Sequence, residues 1–82
     1  MEYTVYILYS EKLSKFYTGF TSTSMQQRMS FHLSDHKGFT SKAKDWRVIY
    51  TEQKTEKSEA MILEKKIKKR GAKRYLEDIR KI

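Results

Sequence analysis

Five side chains in this sequence are of types that could handle a phosphate ester. Tyr6 and Tyr17 stand eleven positions apart, Arg28 and His32 four apart, and Glu64 lies in a lysine-rich stretch further on. A phenol orients a water. It takes a proton only if nearby positive charge lowers its ordinary pKa of about 10, which Lys15, Arg28 or a metal could supply. An arginine fork donates two hydrogen bonds to phosphate oxygens. An imidazole orients water, accepts a proton or contacts phosphate. A carboxylate holds a hard ion such as Mg²⁺, with waters completing the shell. Phosphodiester hydrolysis needs these parts: an activated water, in-line geometry and positive charge where the phosphorane forms. Each residue also has an ordinary reading. The tyrosines can be half-buried strand residues, Arg28 a surface arginine and His32 a structural histidine. Glu64 can simply pair with Lys68 one turn on, and on residue type alone that reading is the stronger one.

The elements that would carry these side chains follow from periodicity. Residues 3–9 are β-branched and aromatic and read as a strand, with a polar turn over 10–14. Residues 15–20 form the second arm of a hairpin, in which Gly19 marks a bulge or a close approach. Pairing Tyr6 with Tyr17 puts Tyr3, Val5, Ile7, Phe16, Thr18 and Phe20 on an apolar face. Thr4, Tyr6, Lys15, Tyr17 and Gly19 then share a wetter one. A helix is predicted over 24–35, capped from the Thr21–Ser24 stretch, with Met25, Arg28, Met29 and His32 on one arc. A loop over 36–45 contains His36, to which no role attaches. A strand over 46–50 places Trp46 in the core. Ser58 is the predicted cap of a helix over 59–70 that ends at Gly71, before a last helix over 72–81. On the wheel, Glu64 falls between Ala60 and Met61, beside the Leu63–Ile67 stripe at the core edge.

Composition bounds the rest. At 82 residues the chain fits one domain, 1–82, with a small core. It has no Cys, which excludes disulfides and cysteine-based zinc sites, and two His are too few for a multi-His centre. No apolar run approaches the ~20 residues of a membrane span, and the N-terminus lacks the pattern of a signal peptide. A soluble, cytoplasmic protein that does not engage membrane is the expectation. Eighteen Lys and Arg against ten Asp and Glu give a formal charge of +8, which favours an anionic partner, nucleic acid first. Lys65, Lys66, Lys68, Lys69, Arg70, Lys73 and Arg74 form a dense basic run. Most of it reads as a solvated face, and it could serve as a phosphate track that Lys42 and Lys44 extend.

The ordered set resembles the GIY-YIG nuclease superfamily. Thr4-Val5-Tyr6 and Tyr17-Thr18-Gly19 stand for the two motifs, Arg28 and His32 for R-x-x-x-H, and Glu64 for the late metal-ligand glutamate. The resemblance runs from Val5 to about Lys73. It is closest to small stand-alone members similar to the N-terminal nuclease domain of the excinuclease C subunit. Thr4, Val5 and Thr18 replace the motif Gly and two Ile, and the Asn that often follows the glutamate is missing, since the chain has no Asn.

The resemblance implies an α+β fold, a three-stranded antiparallel sheet flanked by helices in the order β-β-α-β-α-α. It implies a Mg²⁺- or Mn²⁺-dependent endonuclease acting on nucleic acid, DNA ahead of RNA. Tyr6 and Tyr17 would handle the water, Arg28 and His32 the phosphate, and Glu64 the metal. Lys15, Lys42, Lys44, Lys65, Lys68 and Lys69 would track the backbone. With no separate recognition module, sequence specificity would be low or supplied by a protein partner. The alternative is a catalytically silent nucleic-acid-binding module of the same fold.

Overall fold

β1 (Tyr3–Ser10) is apolar along most of its length, as a strand covered on both faces must be. It is the centre of the sheet, with β2 (Lys15–Thr21) on one side and β3 (Arg47–Lys54) on the other, both antiparallel. The computed structural model describes residues 2–34 and 38–79. Around the sheet lie α1 (Met25–Leu33), a 3-10 helix (Phe39–Lys42), α2 (Lys57–Arg70) and α3 (Ala72–Asp78). The architecture is the predicted α+β sheet in the order β-β-α-β-α-α. α1 ends at Leu33, with Ser34 as its C-cap, and α3 at Asp78, with Ile79 as its C-cap, both short of the windows predicted for them; His36 lies outside the described residues, as do positions 35, 80 and 81.

The hairpin register differs from the sequence expectation. Tyr6 pairs with Gly19 and Leu8 with Tyr17, because the strands run on to a Ser10–Lys15 pair. The turn is therefore only four residues long, with Ser14 N–H donating to the Glu11 carbonyl at 3.2 Å. A shift of two residues preserves the faces, so the apolar set is as expected. The other face is not wet. Tyr6 and Leu8 are buried there with Ala43 and Trp46, and Leu13, Tyr17, Met25 and Met29 pack against them. The opposite face carries Val5 and Ile7 against Ala60, Leu63 and Ile67 of α2 and Tyr75 and Leu76 of α3.

Three boundaries also move. β3 runs past Tyr50 to Lys54, because an edge strand with one solvated face needs no apolar residues to continue. Its ladder with β1 has an irregularity between Ile7 and Leu8. Glu56, not Ser58, is the N-cap of α2, and the first turn is held by the Thr55 hydroxyl donating to Glu59 at 3.2 Å. The predicted 36–45 loop contains the 3-10 helix, which closes over the buried tyrosine face. Two sequence readings hold: the cap of α1 falls within the Thr21–Ser24 stretch, where Ser24 accepts from Gln27 N–H at 3.1 Å. Gly71, at φ 94°, ends α2 in a conformation that favours glycine.

Candidate active site

Burial of a phenol at the sheet centre sets the local chemistry. Tyr6 is 0% exposed, so its hydroxyl must find partners within the protein. It accepts from Arg28 Nε at 3.0 Å and meets His32 Nε2 at 2.8 Å. His32, 1% exposed, in turn places Nδ1 2.8 Å from the Thr40 hydroxyl. The Tyr6 hydroxyl thus joins Arg28 to His32, and His32 carries the network on to Thr40. Burial raises the Tyr6 pKa above its ordinary value. The Arg28 hydrogen bond and charge oppose that rise, while Tyr17 and Glu64 add to it. Tyr6 is therefore a neutral phenol at ordinary pH.

Tyr17 lies diagonally across the hairpin from Tyr6, with ring centroids 6.5 Å apart, and meets His32 edge-on at 5.2 Å. Unlike Tyr6 it is only half-buried. α2 packs on the opposite face of the sheet, but β2 is an edge strand, and α2 reaches past that edge. Lys68 Nζ sits 6.0 Å from the Tyr17 ring centroid and 3.7 Å from Glu64 Oε2. The Glu64 side chain is 19% exposed and its charge is felt at Tyr6. The structure thus gathers Tyr6, Tyr17, Arg28, His32 and Glu64 around one edge of the sheet. Glu64 also makes the i,i+4 pair that its ordinary reading anticipates.

The described residues contain no cluster of three or more His, Asp or Glu able to hold a metal. A single half-buried carboxylate suits an ion that keeps most of its waters and takes its other ligands from a bound anion. Glu64 is the carboxylate there that could hold a divalent cation.

The predicted lysines separate. Lys42 and Lys68 flank the site, their ammonium groups within 5.5 Å of the Phe39 ring and 6.0 Å of the Tyr17 ring. Lys44 donates to the Ser34 carbonyl at 2.8 Å, joining the loop to the end of α1. Lys15 is exposed at the hairpin end and Lys65 on α2. Lys69 lies elsewhere, in a cleft between α2 and α3 with Lys66, Arg70 and Tyr75.

Sequence reasoning missed Thr40, which is 2% exposed and orients His32 while its carbonyl accepts from the Trp46 indole at 2.8 Å. It also missed the anchor of that loop. Asp45 accepts from the Ser10 hydroxyl at 2.5 Å and from Lys12 N–H at 2.9 Å. The Ser10 bond, then the Lys12 bond, hold its carboxyl below the ordinary range. A depressed folded-state pKa stabilises above the unfolded value of about 3.9, and that stability is lost as pH falls through the folded value. Asp45→Asn should therefore lower the melting temperature at neutral pH. Its deficit relative to the parent should shrink below about pH 4, as thermal unfolding followed into acid would read.

A buried tyrosine tied to arginine and histidine, a second tyrosine two residues before a Gly on the next strand, and a helical glutamate near that strand form one group of side chains on the three-stranded α+β fold. The family model of the GIY-YIG catalytic domain matches residues 2–76. The chain belongs to the GIY-YIG nuclease family. No curated protein and no solved structure matches it at a significant level. Among the described residues no helix is long and apolar enough to cross a membrane.

Proposed function

We propose that this protein is a metal-assisted endonuclease that hydrolyses phosphodiester bonds in nucleic acid, with DNA the preferred form and little intrinsic sequence preference. The observation that carries the reading is the Tyr6 hydroxyl, held between Arg28 and His32 and within the field of Glu64, in a chain of the nuclease family. The two tyrosines divide the work by exposure. Tyr6, sealed from solvent, is a positioning residue that fixes Arg28 through Nε and His32 through Nε2. Tyr17, partly exposed and beside Lys68, is the phenol that meets the attacking water. Anchoring Arg28 at Nε aims its terminal amino groups at a phosphate, where a bidentate contact develops with the negative charge of the transition state. A divalent ion held by Glu64 would supply charge stabilisation at the phosphoryl oxygens.

The test is nicking of supercoiled and branched DNA with Mg²⁺, Mn²⁺ and EDTA. Metal-dependent products are expected, and their absence on every DNA and RNA tried would overturn the reading. The Glu64–Lys68 pair, which occupies the carboxylate, favours a second reading as a silent binder, in which binding persists without cleavage. Both readings predict the same binding signature. With about four to six phosphates neutralised, log K for duplex DNA should fall against log salt with a slope of roughly −4 to −5 and vary little with sequence. A flat salt response would remove the nucleic-acid partner.

A further inference from the structure

We propose that Phe39 and Tyr17 form a stacking platform for one unpaired nucleobase. Resting on the nuclease reading, this makes single-stranded, flapped or mismatched DNA the substrate class, rather than continuous duplex. Phe39 is a large aromatic on a short 3-10 helix, yet 38% of it faces solvent. Its ring is nearly parallel to that of Tyr17, at 15° and 6.2 Å between centroids, in an offset stack. Buried Trp46 backs it at 5.8 Å and is itself fixed by the hydrogen bond to the Thr40 carbonyl. The platform is therefore pre-set rather than formed on binding.

Its surroundings indicate what occupies it. A cleft of about 320 Å³ crosses the β2 edge here, lined by Phe16, Tyr17, Thr18, Phe39, Lys68 and Ala72. Lys42 stands on the Phe39 side and Lys68 on the Tyr17 side. The ammonium groups of the exposed Lys42 and Lys68 lie over the Phe39 and Tyr17 rings; a planar base seated on the pair would take their place on the ring face and leave them to the phosphate on either side, on a chain of charge +8. An acidic peptide would meet the charges but leave the aromatic pair without a flat partner. Bases inside a duplex are already stacked on both faces, so only an unpaired base offers one to this platform. Because Tyr17 belongs to both platform and reaction centre, the seated base would lie next to the phosphate held by Arg28.

The test is made on the full chain in EDTA at low salt, so that it does not depend on cleavage. Single-stranded and flapped oligonucleotides carrying 2-aminopurine at the junction are compared with the matching duplex. The parent should quench the probe in the unpaired contexts and bind them more tightly than duplex. Phe39→Leu keeps an apolar cover over Tyr17 but loses the π face. It should abolish the quench and weaken single-strand binding by about 5- to 150-fold, with duplex affinity unchanged within about twofold. Phe39→Trp should retain both quench and preference, and its new indole should respond to single strand. Retention of the single-strand preference in Phe39→Leu would overturn the platform, as would a parent that binds duplex equally well. Should Phe39→Leu fail to fold, a silent indole in Phe39→Trp would overturn it as well. If the nuclease reading alone is wrong, these binding differences persist while no metal produces cleavage. If the platform alone is wrong, metal-dependent cleavage persists and Phe39→Leu cuts flaps as fast as the parent.

Discussion

Glu64→Gln should abolish metal-dependent cleavage while leaving nucleic-acid affinity unchanged or slightly tighter. This carboxylate reaches the Tyr6 phenol through its charge, opposing that of Arg28. It sits at the edge of the α2 core stripe with only part of its side chain in water. The amide keeps its size and its place beside Leu63 and Ile67 but cannot hold a hard cation with comparable strength. If the ion supplies about 3–4 kcal/mol of charge stabilisation, kcat should fall by roughly 10²- to 10³-fold. Affinity should not fall, because a negative charge leaves a basic surface and Lys68 is released from its pair. Arg28→Ala is the contrasting variant. It should also abolish cleavage, but it removes a phosphate contact worth about 1.5–3 kcal/mol, roughly a 10- to 150-fold loss in binding. Nicking rates and Kd measured on the same substrate separate the two. A Glu64→Gln protein that nicks as fast as the parent would sink the metal assignment. Equal losses of binding in both variants would mean that the site, rather than the chemistry, had been disturbed.

Most of the fold was legible because its signals are local. The β-branched run of β1, the Ser24 cap, the Ala60–Leu63–Ile67 stripe and the Gly71 stop each follow from the residues that form them. What was not legible depends on partners distant in sequence. The tyrosine face of the hairpin looks polar when read alone. It is buried because the 3-10 helix with Thr40, and Ala43 and Trp46 after it, close over it from far along the chain. The register slipped for a related reason. Ser10 belongs to the ladder, and the Asp45 carboxylate that fixes Ser10 at the hairpin end lies 35 positions away.

The same division holds at the site. The spacing of Tyr6, Tyr17, Arg28, His32 and Glu64 marked the residues that now surround one sheet edge. It did not show that Tyr6 is sealed from water and Tyr17 is not, a difference created by what covers each ring. Thr40 carried no signal, because a threonine in a Gly-, Ser- and Lys-bearing loop is unremarkable until a histidine ring nitrogen is found 2.8 Å away. Phe39 drew no reading either, although a bulky aromatic in such a loop has to rest on something, and it rests on Tyr17.

Gly19→Ala should be strongly destabilising although it adds only one methyl group. The backbone does not demand glycine there, since Gly19 lies within a regular strand and only Gly71, of the described glycines, has a positive φ. The demand comes from the facing tyrosine. A Cβ on residue 19 would lie 2.6 Å from Tyr6 Oη, 2.8 Å from Tyr6 Cζ and 3.3 Å from Tyr17 Cε2. Tyr6 has no room to yield, because it is fully buried and its hydroxyl is tied to both Arg28 and His32. Overpacking of a filled core costs about 1–3 kcal/mol, which in a domain of this size lowers the melting temperature by roughly 5–20 °C. Cleavage should fall further than stability, since the displaced ring carries Arg28 and His32 with it. The cause can be isolated with a double-mutant cycle. Tyr6→Phe removes the closest of the three atoms, so Gly19→Ala should be less costly in that background than in the parent. The coupling should fall in the range of about 0.5–3 kcal/mol typical of residues in contact. Thermal melts of the four proteins measure it directly. Additive losses would show that residue 19 is sensed through the strand rather than through the tyrosine ring, and steric demand from Tyr6 would no longer account for a glycine after Tyr17-Thr18.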